Sequence, residues 1–292
     1  MTFLTYLISG LSLGSVYALI ALGYSMVYGI ARMLNFAHGD IIMVGAYVAF
    51  FAATAFSQSA GISTFLAIVL CMVLGVVIEY LAYRPLRQAP SLAVLITAIG
   101  VSYFLENAAQ ILWGADSKFF PANFIKEGGL NLGGVSITWV SLITICVCVA
   151  IMVVLTLFIN RTKTGRAMRA VAEDRGAATL MGINTDHIIS LTFAIGSALA
   201  GVAAVLLAST YPSISPTMGS MPGIKAFTAA VLGGIGSIPG AFVGGLMLGV
   251  IENLSKAYIS QQLSDAIVFA VLIVILLLKP NGLLGKKKRI KV

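Results

Sequence analysis

Four acids and one histidine in an otherwise apolar chain are the residues with chemistry to offer. Glu79, Glu106 and Glu252 sit inside long apolar runs, and Asn35, His38 and Asp40 crowd the short stretch Met33-Leu-Asn-Phe-Ala-His-Gly-Asp40. A charge at membrane depth is expensive to keep, so such residues mark solute pathways, proton relays or bonds between helices. Carboxylates at these depths suit a proton-coupled carrier and suit interhelical bonding equally. Glu79 is near the end of its run and can pair with Arg84, while Glu106 and Glu252 each precede an asparagine. Asp40 suits the N-cap of a following helix. Direct contact of Asn35 and His38 with a solute is the other reading of that stretch. His38 and Asp40 lack metal-ligand spacing and no second cluster supports them, so no metal is expected. No G-x-x-x-x-G-K-[ST] loop occurs, Gly282-Leu-Leu-Gly-Lys286 has the wrong spacing, and no Ser/His/Asp set stands out.

A second candidate is a break in an apolar stretch, Leu232-Gly-Gly-Ile-Gly-Ser-Ile-Pro-Gly-Ala241. Pro239 disfavours helix at Ile238, and Gly233, Gly234 and Gly236 permit other backbone shapes. Backbone left open at membrane depth is tolerated only where protein or a water-filled cavity meets it. A helix over 224–234 is about 16 Å long, which places the break near the middle of a core of roughly 30 Å. The helix beginning near Gly240, after Ser237, then aims free N–H groups there, an arrangement suited to a carboxylate. The competing reading is packing alone, because Gly236, Gly240 and Gly244 stand four apart, as do Gly245 and Gly249.

These groups must be carried by a membrane protein. Of 292 residues, 59% are hydrophobic and only 10% charged, against about 25% charged in a soluble domain, and the mean hydropathy is +1.02. The first apolar run has no basic segment before it and no cleavage site of small residues, so it is read as a retained span. Cys71, Cys146 and Cys148 lie in apolar runs and are read as small buried residues. Spans are predicted over 5–30, 40–57, 62–83, 91–113, 137–159, 187–210 and 262–278, with 224–234 and 240–258 as a broken or re-entrant pair. The fold class is all-α polytopic, about eight transmembrane helices in one domain over 1–292. The net charge of +8 does not point to nucleic acid, because the cations cluster between and after spans. Arg32, Arg84, Arg87, Arg161, Lys163, Arg166, Arg169, Arg175 and the basic tail within 279–292 all fall on one side, leaving Lys118, Lys126, Lys225 and Lys256 on the other. That side is cytoplasmic by the positive-inside rule, with the N-terminus outside. The tail, Lys286-Lys-Lys-Arg289, reads as an anchor to lipid headgroups.

One charged, helix-forming segment stands outside the bilayer, the loop 161–186. Its Ala-rich part 166–182 is predicted to form one short helix closed at Gly182. A long basic loop between spans meets something soluble, which points to a transporter driven by a cytoplasmic partner. The external loop 114–136 is polar, with Lys126 and Glu127 among its charges, and is either a docking surface or a plain connection.

Four stretches resemble one family in combination: Gly23-Tyr-Ser-Met-Val-Tyr-Gly29, Leu34-Asn-Phe-Ala-His-Gly-Asp40, Gly165-Arg-Ala-Met-Arg-Ala-Val-Ala-Glu-Asp174 and the Gly-Gly-Ile-Gly-Ser-Ile-Pro-Gly break. Over essentially the whole chain it resembles the LivH-type permease of branched-chain amino acid ABC importers. The resemblance implies an alternating-access permease of the bacterial inner membrane that is not itself an enzyme and binds no cofactor. It implies a second, LivM-type permease, two cytoplasmic ATPase subunits carrying ATP and Mg, an external solute-binding protein, and surrounding lipid. It assigns Gly165, Arg166, Arg169, Glu173, Asp174, Arg175, Ala177, Ala178 and Gly182 to ATPase coupling. The family's E-A-A-x-x-x-G pattern is met by Ala177, Ala178 and Gly182, with Gly176 at the glutamate position. The solute path is assigned to Asn35, His38, Glu106, Glu252, Gly233, Gly234, Gly236, Ser237, Pro239 and Gly240. Other solutes of such permeases, urea and short amides, stay open, as does a self-contained channel or carrier working through Glu106 or Glu252.

Overall fold

The computed structural model describes residues 2–56, 59–121, 124–125, 128–132 and 135–285. Its helices are α1 (Thr2–Ala31), α2 (His38–Ala55), α3 (Ala60–Ile78), α4 (Ser91–Trp113), α5 (Trp139–Arg161), α6 (Lys163–Glu173), α7 (Arg175–Leu180), α8 (Thr185–Thr210), α9 (Ser220–Gly233), α10 (Ile238–Tyr258) and α11 (Ser264–Leu278). Among the described residues seven helices are long and apolar enough to cross a membrane, and the 15-residue α11 is a shorter apolar one. The chain is an all-α polytopic membrane protein, as its sequence predicts.

Small residues decide which helices form the centre. α8 is buried on nearly every face, through Gly196, Ala200, Gly201, Ala203 and Ala204 among others, and packs on α1, α2 and α3. Glycine and alanine let backbones approach closely where apolar burial gives little drive between helices in lipid. α1 and α10 run antiparallel in near backbone contact, with Gly10 against Val250 and Gly14 against Leu246, and Gly29 meets Gly236 just before α10. α4, α5 and α11 keep one face outward, where Phe104, Ile111, Val154 and Leu277 are exposed to the lipid side.

One end of the bundle gathers the cations. Arg32, Arg87 and Arg175 meet there beside α6 and α7, and Leu283 and Leu284 donate 2.9 Å bonds to the carbonyls of Leu232 and Gly233. The positive-inside rule makes this the cytoplasmic end. α3 reaches it through a π-helical turn, Glu79–Tyr83, and a 3₁₀ turn, Arg84–Leu86. Pro85 has no N–H to give to Leu81, so the regular ladder cannot continue through it.

At the opposite end the described residues of 114–136 include short strands. β1 (Lys118–Phe119) pairs antiparallel with β4 (Ser213–Ile214), and β2 (Gly129–Leu132) with β3 (Val135–Thr138). The first pairing fastens this segment to the α8–α9 connection. Lys126, Glu127 and the tail residues 286–292 lie outside the described residues.

Two expectations are corrected locally. The single helix over 166–182 is two helices, because Asp174 leaves helical geometry and its carboxylate accepts from the Ala177 N–H at 3.0 Å, starting α7 afresh. Gly182 does close the segment, at φ +80. Asp40 is not an N-cap: α2 begins at His38 after Ala37, which leaves Asp40 in the first turn.

Candidate functional site

Arg32 ends α1 at φ 52, the one non-glycine residue with positive φ among the described residues. That left-handed turn sends 33–37 back into the bundle. α2 therefore starts beside Tyr24 and Gly23 of α1, roughly 12 Å above the end of α1 at 1.5 Å per residue. The His38 ring meets the Tyr24 ring edge-on at 4.7 Å and faces the Ile20 carbonyl. The Asn35 side-chain oxygen accepts from the buried Tyr83 hydroxyl at 2.8 Å. The segment is thus held on both sides by aromatic residues, one from α1 and one from the π-helical turn.

A second helix starts at the same depth. α9 begins at Ser220, and a Cβ on Gly39 would stand 2.5 Å from the Gly219 oxygen, one on Gly223 3.0 Å from the Gly39 Cα. Only glycine lets the two helix starts touch. The positive ends of two helix dipoles meet here, which favours negative charge between them, although the His38, Asp40, Ser220 and Gly223 N–H groups already donate to nearby carbonyls. Two carboxylates answer: Asp40 faces Ser102 and Glu106, and the Ser220 hydroxyl donates to Glu106. Glu106 is brought here to Asp40 and Ser220, while Asn35 and His38 of the same segment contact Tyr83 and Tyr24 instead. Gly39, Gly219 and Gly223 were not expected at the site; the signal that could have found them is a glycine beside a polar residue at the start of each helix.

The 232–241 break lies elsewhere, which corrects its expected place near the middle. α9 already starts near the depth of Gly23, so by its end the break reaches the level of Ser25 and Gly29, near the end of α1. There the Gly236 N–H donates to Ser25 Oγ at 2.9 Å, and Ser237 caps α10 through the Gly240 N–H at 3.2 Å. The break opens on a cavity of about 620 Å³ lined also by Thr156, Asn160, Arg169 and Glu173. Gly236, Ser237 and Pro239 therefore adjoin Arg169 and Glu173 of α6, not Asn35 and His38, while Gly233 packs on Gly240 and Gly234 on Gly285. Gly236 has φ +89 and a Cβ would lie 3.4 Å from the Gly29 Cα. Gly236→Leu is expected to cut solute uptake at least tenfold, and Gly236→Asn, which tolerates positive φ better, to retain a measurable part of it. Uptake by the leucine variant equal to the parent's would remove the break from the path.

Glu252 stands apart from both groups. It is 1% exposed and accepts from Lys225 at 2.9 Å and Lys256 at 2.6 Å, and Lys225 also pairs with Asp265 at 2.6 Å. Glu79, likewise buried, is paired with Arg87 and accepts from Ser190 at 2.6 Å. Its expected partner Arg84 bonds Asp186 instead, at 2.8 Å.

The α6–α7 segment is built as an anchored knob. Thr162 caps α6 through the Gly165 N–H at 3.0 Å, and a Cβ on Gly165 would lie 2.5 Å from the Ile159 Cα. Met168, Val171 and Ala178 are buried, while Arg166, Arg169, Glu173 and Ala177 face outward. Leu180 and Met181 are 90% and 82% exposed, an apolar tip beyond the bundle of the sort that docks a partner.

A model of the family described as branched-chain amino acid transport system / permease component matches residues 6–276. The chain belongs to this family. The permease is 47% identical to the high-affinity branched-chain amino acid transport system permease protein BraD of Pseudomonas aeruginosa, covering 99% of this chain and 98% of that one. It is equally similar, with the same coverage, to the permease protein LivH of Escherichia coli strain K12. A chain of PsaBC from Streptococcus pneumoniae in complex with Fab is similar over 96% of this chain and 91% of that one, at a TM-score of 0.44 and 16% identity. The permease is a multi-pass component of the cytoplasmic membrane and not an enzyme. Among its described residues no group of three or more His, Cys, Asp or Glu is placed to hold a metal ion.

Proposed function

We propose that this permease is the membrane subunit of an ATP-driven importer that moves branched-chain or other hydrophobic amino acids inward by alternating access. The observation that carries the reading is end-to-end identity of 47% to high-affinity permeases for branched-chain amino acids. The geometry is consistent with it. Helix starts that favour a carboxylate lie beside Asp40 and Glu106, which favour an ammonium group, inside a largely apolar bundle. That combination suits a zwitterion with an apolar side chain. The solute would pass Asn35, His38 and Glu106 and leave along the Gly233–Gly240 break.

The partners in this reading are a second, LivM-type permease, two cytoplasmic ATPases holding ATP and Mg, and an external binding protein that delivers the solute. The ATPases would dock on α6 and α7, through Arg166, Arg169, Glu173 and Ala177 and the exposed tip before Gly182. Glu106 is hydroxyl-bonded and Glu252 is shared by two lysines, contacts that support the interhelical-bonding reading of these acids.

The test is uptake by the purified complex in liposomes with its cognate binding protein. Leucine is expected to stimulate ATP hydrolysis and to accumulate, and urea to do neither. A complex that responds to urea and ignores leucine would overturn the substrate class. A chain that transports alone on a proton or sodium gradient would overturn the importer reading.

A further inference from the structure

The ends of α1 and α6 cap each other. Each helix leaves its last carbonyls without intrahelical partners, and here each is met by an arginine from just past the other helix. Arg32, at the end of α1, donates to the Ala172 carbonyl at 2.8 Å and to the Glu173 carbonyl at 3.4 Å. Arg175, the first residue of α7 just past α6, donates to the Ala31 carbonyl. A cation near a helix C-terminus is favourable both as a donor and against the dipole, and the exchange makes the two ends one unit.

The two arginines lead into different parts of the molecule. Beyond Arg175 lies α7 with its exposed tip. Beyond Arg32 lie Met33–Ala37 and then His38, the segment held at its far side by the bond from Tyr83 to Asn35. Arg32, Arg87 and Arg175 also line one cavity of about 650 Å³ with Asp174. Burial, and then the charges of Arg87 and Arg32, hold the Arg175 guanidinium below its ordinary pKa. Three crowded cations with a left-handed backbone at one of them form an arrangement that local preference alone would not select. Backbone strain of this kind survives where the surroundings require the conformation.

We propose that Arg32 and Arg175 form a reciprocal clasp that transmits movement of the coupling helices to the re-entrant segment carrying Asn35 and His38. Both are positioning residues: they touch no solute and act through the segment between them. The proposal rests on the importer reading and names the route by which ATP-driven motion reaches the solute path.

The test uses the complete complex in liposomes, with ATP hydrolysis and leucine uptake measured on the same vesicles. Arg32→Gly is the main variant, because glycine suits φ 52 and removes the side chain without breaking the turn. Arg32→Gly is expected to lower uptake at least tenfold while hydrolysis stays within about twofold of the parent. Arg175→Gln is expected to lower uptake alike, and the two together to be no worse than the worse one. Arg175→Lys, which keeps a donor and the charge, is expected to recover part of the uptake lost in Arg175→Gln.

Uptake by Arg32→Gly within twofold of the parent overturns the clasp. So does a parallel fall of hydrolysis and uptake, or failure of both variants to assemble, since each makes the role purely structural. A parent complex whose hydrolysis and uptake are already unlinked sinks the importer reading and the clasp with it. Failure of the clasp alone is recognised by a coupled parent.

Discussion

Gly14→Leu is expected to leave no stable permease. Gly14 faces α10, where a Cβ would stand 2.7 Å from the Leu246 oxygen and 2.8 Å from its Cα. Both are backbone atoms of a helix held by its own hydrogen bonds, so no flexible side chain can give way. Overpacking costs roughly 1–3 kcal/mol where neighbours can shift, and a leucine here exceeds that range because the whole α1–α10 contact must open. Those two helices also carry the Ser25–Gly236 bond and the Arg32 turn, so loss of the contact removes the site as well as the fold. Gly100→Ala is the matching control. A Cβ on Gly100 of α4 meets nothing within 4 Å, and replacing glycine inside a helix gains up to about 1 kcal/mol. Size-exclusion profiles and melting of the two variants in mild detergent decide the matter. An unchanged profile and melting temperature for Gly14→Leu would mean that the α1–α10 approach is looser than these distances require.

Glu252→Ala is expected to destabilise the permease by about 3–5 kcal/mol, the usual cost of removing one partner of a buried ion pair. The carboxylate is 1% exposed and serves Lys225, itself 8% exposed, and Lys256. Tyr17 of α1 lies beside the same carboxylate. Without it Lys225 keeps Asp265 at 2.6 Å, a partner 40% exposed and so solvated. The residual penalty falls on a lysine that cannot reach water. Adding Lys225→Met should therefore restore at least half of the loss, because a methionine fills the space without the charge. Melting of the four members of the cycle tests this. Losses that simply add would show that Lys225 and Glu252 do not depend on each other. The network joins α9, α10 and α11, so its loss should also raise proteolysis near 259–263.

Apolar runs of sufficient length were enough to read the spans, because an α-helix satisfies its own backbone in lipid and needs no neighbour to do so. The cationic side and the charged segment 161–186 were legible for the same local reason: charge stays out of hydrocarbon wherever the rest of the chain lies. Thr162, Asp174 and Gly182 carry the capping chemistry of α6 and α7 in their own side chains or backbone freedom, although the break at Asp174 was missed.

The site was different, because depth is not a local property. Nothing near 232–241 tells how far α9 has already travelled before Gly233, and that depends on where Ser220 meets Gly39 across the bundle. Glu252 reads alike whether it lines a path or pairs with lysines, until α9 and α11 bring Lys225 and Asp265 to it. The left-handed turn at Arg32 has no sequence mark, since arginine is a poor residue for that conformation. Close approach of Gly29, Gly39 and Gly219 to backbones distant in sequence, and the capping of α1 by α6, supply the reason for the turn, and those contacts exist only in the assembled bundle.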